Sequence, residues 1–308
     1  MAITAGMVKD LREKTGAGML DCKKALDQTN GDMEKAIEFL REKGLASAAK
    51  KAGRIAAEGL VAVATSDDNK SAAIVEVNSE TDFVAKNEIF QSFVGEVANQ
   101  ALQTNAADID GFLSDKWITD SSKTINDVLN EKISLIGEKL NIRRFGKVTT
   151  QDGLVETYIH GGGRIGVVIE LVTDKVNESI KECAKNLAMQ VAAIAPKYVT
   201  RDEISEEFVE KEREILKQQA LNENPDKPEN IIDKMIIGRL NKQLKEVCLV
   251  DQQYVKDGDF TVAKYVEAVA KENGATISVK SFVRFETGEG IEKKEENFAE
   301  EVAKQIQQ

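Results

Sequence analysis

The chain has 308 residues and a formal net charge of −11, with 42% hydrophobic and 31% charged residues, which fits a globular protein of two or three modules. The acidic balance argues against a dominant nucleic-acid or anionic-membrane surface, because phosphate backbones demand clustered Lys and Arg, so neither partner is expected. Cys22, Cys183 and Cys248 are odd in number and widely spaced, which suits reduced cytoplasmic thiols rather than a disulfide framework or a zinc site. No apolar run reaches the roughly 18 residues of a membrane span, and Met1-Ala2-Ile3-Thr4 does not open a signal peptide.

Residues 1–54 read as three short helices and a linker. Thr4 caps the first, which carries Met7, Val8 and Leu11 on one face and stops at Gly16. Met19, Cys22 and Leu26 fall at helical spacing in the second, which ends at Asn30-Gly31. Asp32 caps the third, with Met33, Ala36, Ile37 and Leu40 as its inner stripe before Gly44. The following Ala-, Lys- and Gly-rich stretch from Ala46 to Gly59 reads as a partly helical linker. So small a bundle is marginal alone, which suggests docking work.

Beyond the linker the sequence repeats itself. Gly59-Leu60-Val61 recurs as Gly153-Leu154-Val155, and the same offset of 94 aligns Glu76 with Glu170, Val97 with Val191, Ala98 with Ala192 and Ala101 with Ala195. Each copy reads as strand, turn, strand and helix. Arg144-Phe145 recurs as Arg284-Phe285 at an offset of 140, which closes each copy with a further strand and makes the second longer by 46 residues. The excess falls at about 200–247. There Thr200-Arg201-Asp202-Glu203 has the capping-box pattern of a helix carrying Ile204, Phe208 and Ile215. After the turn from Asn222 to Pro228, a return helix shows Ile237, Leu240, Leu244 and Val247 at coiled-coil spacing. Asn297 to Gln307 closes the chain as a short amphipathic helix with Phe298, Val302 and Ile306. The fold class is therefore α+β, with small antiparallel sheets. Its units are a bundle and linker (1–54), a first core subdomain (55–147), a second (148–199 with 248–285), a helical-hairpin insertion (200–247) and a carboxy-terminal module (286–308).

Residues for covalent chemistry are scarce. The sole histidine, His160, precedes Gly161-Gly162-Gly163-Arg164 between two expected strands. A glycine-rich loop that leads into a strand rather than a helix favours a hairpin turn over a phosphate cradle. One histidine excludes a multi-histidine metal site, and no nucleophile elbow surrounds it; no metal, cofactor or catalytic residue is expected. The carboxylates Glu206, Glu207, Glu210 and Glu212 read as a solvated helix face. Thr81-Asp82-Phe83-Val84-Ala85-Lys86-Asn87 stands where a strand gives way to a helix, so Asp82 as a cap and Phe83 as a core residue is the plain reading. At the offset of 94, however, Asp82 and Phe83 align with Val176 and Asn177, so the shared architecture does not require the pair.

Four stretches together resemble the elongation factor Ts family across essentially the whole chain. They are Leu11-Arg12-Glu13-Lys14-Thr15-Gly16-Ala17-Gly18-Met19-Leu20-Asp21-Cys22-Lys23-Lys24-Ala25-Leu26; Glu76-Val77-Asn78 with Thr81 to Lys86; His160-Gly161 with Arg164-Ile165-Gly166-Val167; and Arg284-Phe285 with Gly288-Glu289-Gly290-Ile291-Glu292. One glycine more than the family pattern follows His160. The resemblance implies a ubiquitin-associated-like bundle, two related core subdomains, a coiled-coil arm and a terminal module. It implies a binding protein, not an enzyme, that promotes GDP release from elongation factor Tu. In that reading Thr81, Asp82, Phe83 and Val84 press beside the Mg²⁺ and phosphate site of the partner, while Lys23, Ile136, Gly137 and His160 make secondary contacts. An enzyme using His160 and nearby acids, an RNA-associated helical-arm protein, and self-association through the arm are the competing readings.

Overall fold

A computed structural model describes residues 3–15, 17–225 and 227–292; the stop expected at Gly16 and the terminal helix expected over 297–307 lie outside the described residues. The amino-terminal helices are α1 (Ala5–Thr15), α2 (Met19–Gln28) and α3 (Met33–Lys51). Thr4 Oγ1 accepts the Met7 N–H and Asp32 Oδ1 the Lys35 N–H, so both expected caps form. Val8, Leu11, Cys22, Ala25, Leu26 and Ala36 make the small core between the helices. The third helix does not stop at Gly44. It runs to Lys51 and absorbs the first part of the expected linker. Gly44 faces a second helix, where a Cβ would lie 3.6 Å from the Asn130 carbonyl oxygen and 3.9 Å from Ser134 Cβ. Here the glycine serves helix–helix approach rather than chain termination.

The first core copy follows in order: β1 (Glu58–Thr65), β2 (Ser71–Ser79), α4 (Asp82–Ala85), α5 (Glu88–Gln103), α6 (Ile109–Ser114), the ribbon β3 (Lys116–Trp117) and β4 (Asp120–Thr124), α7 (Ile125–Ile136) and β5 (Leu140–Thr149). The second has β6 (Gly153–His160), β7 (Ile165–Thr173), α8 (Glu178–Ile194), the hairpin α9 (Glu206–Glu223) and α10 (Glu229–Val247), α11 (Val262–Asn273) and β8 (Ile277–Glu286). Each copy builds a three-stranded antiparallel sheet, β1-β2-β5 and β6-β7-β8. The central strands are buried on both faces. Ala73, Val75 and Val77 of β2 pack under α5, while Ala72 and Ile74 meet Val155, Val168 and Phe285 of the second sheet. Gly166 lets the sheets close, since a Cβ there would fall 2.4 Å from Val61 Cγ1.

The duplication runs deeper than the sequence offset shows. Thr124 and Thr261 cap the equal-length helices α7 and α11, and Gly137 and Gly274 end them in the left-handed conformation. These pairs stand 137 apart, and the sheet register agrees. Glu76 faces Arg144, whereas its counterpart Glu170 faces Ser281, and both pairings have a bulge at the next step. The repeated Arg-Phe at offset 140 is therefore three residues out of structural register. The second copy is longer by 43 residues, the difference between 137 and 94, rather than 46. The bulge puts Arg143 in one copy and Lys280 in the other beside the buried glutamate, each at 3.0 Å.

The insertion is an antiparallel helical hairpin, but its seam differs from the expected one. Ser205, not Thr200, caps α9, and Glu203 reaches back to the Val199 N–H. The seam is Leu216, Ala220, Ile232, Ile236 and Leu240, with Leu244 half-buried beside it. Ile215 faces out, and Ile237 is 55% exposed where Ile236 is 5%. Adjacent isoleucines cannot share one helix face, and the four-residue spacing of Ile232, Ile236 and Leu240 wins. Among the described residues no helix is long and apolar enough to cross a membrane.

Candidate functional site

β2 is clamped on both sides as far as Ser79, and the chain then leaves the sheet. Thr81 caps the single turn of α4, accepting the Val84 N–H at 3.4 Å, and Asn87 caps α5 by accepting from Ile89 at 2.8 Å. The four-residue helix between these caps can turn only one side to the protein. Val84 takes that side and packs against the first core. Phe83 is thereby thrown outward and is 80% exposed, the most exposed of the large hydrophobic side chains among the described residues. The plain reading of Phe83 as a core residue is overturned. Its neighbours are ionic: Lys86 Nζ lies 2.6 Å from Asp82 Oδ2 and 5.9 Å from the centre of the Phe83 ring. The Lys86 ammonium, by hydrogen bond and charge, holds the Asp82 carboxyl below its usual range.

The turn is braced from the α7–β5 loop. Glu138 accepts from Thr81 twice, from the backbone N–H at 3.1 Å and from Oγ1 at 2.8 Å. Glu80 accepts the Lys139 N–H and pairs with Arg54 at 3.1 Å. Lys139 Nζ in turn donates to the carbonyls of Ala52 and Arg54, at 2.7 and 2.8 Å, where the chain comes down from the bundle. Ile136 packs against the first core and Gly137 is the left-handed, exposed residue just before Glu138. The structure thus brings Thr81, Asp82, Phe83 and Val84 together with the Ile136-Gly137 loop.

Lys23 and His160 stand apart from this turn. Lys23 is exposed on α2. His160 is exposed at the end of β6, with Nδ1 3.0 Å from Tyr158 Oη. Gly161, Gly162 and Gly163 all have positive φ, as a hairpin turn asks, and the Gly163 carbonyl accepts the Val61 N–H at 2.7 Å. That loop is seated on β1. Among the described residues no hydrogen bond or ion pair joins Lys23 or His160 to the Thr81 turn, and no cluster of His, Cys, Asp and Glu could hold a metal.

Two surface residues escape the periodicity argument. Helical spacing puts Met19 on the inner stripe, yet Met19 is 58% and the neighbouring Leu20 74% exposed. The contribution of α2 to the bundle core begins only at Cys22. The available signal was the doubled apolar pair after Gly18, one residue more than the stripe needs. A cleft of about 500 Å³ also opens between the bundle and α7. Two ion pairs cross or line it, Lys43 with Asp21 at 2.5 Å and Lys123 with Glu131 at 2.8 Å, and it reads as a seam between helices.

A bare aromatic ring on a braced turn and an apolar pair on a small bundle are the most exposed large apolar side chains among the described residues, the kind of surface that marks a binding protein. Comparison with known proteins gives the family. The model for elongation factor Ts matches residues 80–289. Proteins named elongation factor Ts from Clostridium botulinum (strain Loch Maree) and Clostridium novyi (strain NT) are 53% and 54% identical over 306 residues, 99% of either chain. One from Clostridium tetani is 56% identical over 305 residues, covering 99% of this chain and all of the relative. The chain belongs to the elongation factor Ts family.

Proposed function

We propose that the protein is a guanine nucleotide exchange factor that binds elongation factor Tu in its GDP-bound form and speeds GDP release, so that GTP can bind. The observation that carries this reading is Phe83, 80% exposed on a turn anchored at both ends. An exposed aromatic held in place is suited to displacing packed side chains on a partner, because little of its contact energy is lost in ordering it. Mg²⁺ demands near-octahedral geometry and offsets repulsion among phosphate oxygens. A shift of about an ångström in the residues that support it weakens metal and nucleotide together. In this account Phe83 supplies the bulk, and Asp82 exchanges its Lys86 partner for a polar group beside the metal site.

The other contacts follow the family resemblance and the exposed surface. The ubiquitin-associated-like bundle docks through Lys23 with Met19 and Leu20, which have no core to fill. Ile136-Gly137 and His160 face the partner from the two core subdomains. No bond in the factor is made or broken, and the setting is cytoplasmic.

Linkage supplies the test. If the protein lowers the affinity of elongation factor Tu for GDP, then GDP lowers the affinity of elongation factor Tu for this protein by the same factor. Titrations of the nucleotide-free and GDP-saturated partner should differ by that ratio. Equal affinity in both states would refute an exchange role while leaving simple binding intact.

A further inference from the structure

The internal duplication is a control experiment within one chain. Contacts present in both copies belong to the shared architecture, and contacts found in only one copy need another reason. The loops that follow α7 and α11 match at the offset of 137, and the strand ends that follow β2 and β7 match at 94. Glu80 therefore corresponds to Asp174, and Lys139 to Thr276. This pair is duplicated: Asp174 accepts the Thr276 N–H at 2.7 Å, as Glu80 accepts that of Lys139. It ties strand end to loop in both copies and is structural.

The neighbouring pair is not duplicated. Thr81 corresponds to Lys175 and Glu138 to Ala275, which has no carboxylate to offer. Lys175 instead sends its ammonium to the carbonyls of Asn273 and Gly274. The double hydrogen bond from Thr81 to Glu138 thus exists only in the copy that also carries Asp82 and Phe83. An isolated single-turn helix has no stability of its own, and Val84 is the one side chain of α4 packed into the core cluster. Something else must fix the turn, and Glu138 holds both the amide and the hydroxyl of its cap residue.

From this we infer that Glu138 is a positioning residue for the exchange reaction: it pre-organises the Thr81–Val84 turn so that Phe83 arrives at the partner already in place. The inference rests on the exchange reading and names a residue that acts through Phe83 rather than by touching the partner. Without Glu138 the turn would order itself only on docking, and that cost would fall on the step in which Phe83 does its work.

The test is a set of stopped-flow measurements of fluorescent GDP release from elongation factor Tu, across a range of factor concentrations. The proteins are wild type, Glu138→Ala, Glu138→Gln, Thr81→Val, Phe83→Ala and the double variant Glu138→Ala with Phe83→Ala. Glu138→Ala is expected to lower the maximal release rate by roughly three- to tenfold, with a smaller change in the half-saturating concentration. Glu138→Gln keeps one acceptor oxygen and should fall between, whereas Thr81→Val keeps the amide donor but also strips the cap from the Val84 N–H and should lose at least as much as Glu138→Ala. Amide exchange at Thr81 should accelerate in Glu138→Ala while the melting temperature stays close to wild type. The double variant should be no slower than Phe83→Ala alone, since a positioning residue has nothing left to position.

Three results would overturn the inference. A wild-type maximal rate in Glu138→Ala, beside a slow Phe83→Ala, removes the clamp and leaves the exchange reading standing. Additive losses in the double variant would mean that Glu138 meets the partner itself. A wild-type rate in Phe83→Ala removes the wedge, and the clamp with it. If Glu138→Ala melts early, Glu138→Gln, which keeps an acceptor oxygen for the Thr81 cap residue, carries the same comparison.

Discussion

Replacing Phe83 by alanine separates folding from function. The ring is 80% exposed and outside every core cluster among the described residues, so its removal should change folding stability by less than about 0.5 kcal/mol. Docking is a different matter. A phenylalanine ring that becomes buried takes about 150 Å² with it, which at about 25 cal/mol per Å² is worth ~4 kcal/mol before any cost. Side-chain ordering and imperfect fit reduce this to about 2–3 kcal/mol, typical of a buried aromatic anchor. If the ring engages only as the metal site opens, nearly all of that loss appears in the maximal rate of nucleotide release. The expected slowing is roughly 30- to 150-fold. Stopped-flow release of a fluorescent GDP analogue, with the factor varied through saturation, reads the maximal rate and the half-saturating concentration separately. An unchanged maximal rate, or a loss confined to the half-saturating concentration, would refute the wedge argument.

Three other outcomes follow from the same structure. Met19→Ala with Leu20→Ala should leave the thermal midpoint within a few degrees yet weaken association with elongation factor Tu by about tenfold or more, measured by titration calorimetry. Ile236→Ala should destabilise by about 2–4 kcal/mol against roughly 0.5 kcal/mol for Ile237→Ala, which denaturant melts resolve and which a seam through Ile237 would invert. Glu76 gives a pH dependence. Burial pushes its carboxyl up, but the Gly288 N–H, the Asn78 amide, Arg143 and Arg144 outweigh this and hold it below the usual range. A carboxyl depressed on folding adds stability that is present above its unfolded value of about 4.3 and is lost as pH falls through the folded value. Glu76→Gln should therefore cost about 3–5 kcal/mol at pH 7, because two guanidinium groups lose a buried partner, and should flatten the acid limb of stability below about pH 4.5. Equal acid limbs in the two proteins would remove Glu76 as a contributor.

Much of this architecture was legible because local chemistry is repeated. The alignment of Glu76 with Glu170 and of the glycines that open β1 and β6 follows from the unbroken spacing of strand, turn, strand and helix. The closing strand is less legible: identity at Arg144-Phe145 and Arg284-Phe285 points three residues away from the register that only strand pairing reveals. Gly44 and Ile237 misled for one reason: glycine rules and hydrophobic periods describe an isolated helix, whereas the neighbouring α7 and the hairpin partner decide which positions are inside. The site was half legible. The failure of Asp82-Phe83 to recur in the second copy marked the pair as special, but the exposure of Phe83 depends on Val84 claiming the inner side of a four-residue helix. Glu138 carried no local signal at all, because its partner Thr81 lies 57 positions away in the chain.

The measurement that bears most directly on the central claim is GDP release from elongation factor Tu with this protein at a small fraction of the partner's concentration. The account predicts that all of the labelled nucleotide leaves far faster than it does unaided, because each factor molecule is displaced by incoming nucleotide and acts again. Release at the unaided rate in the presence of the folded protein would contradict it. So would acceleration of only a stoichiometric fraction, which would mark a binding protein that traps its partner rather than one that exchanges its nucleotide.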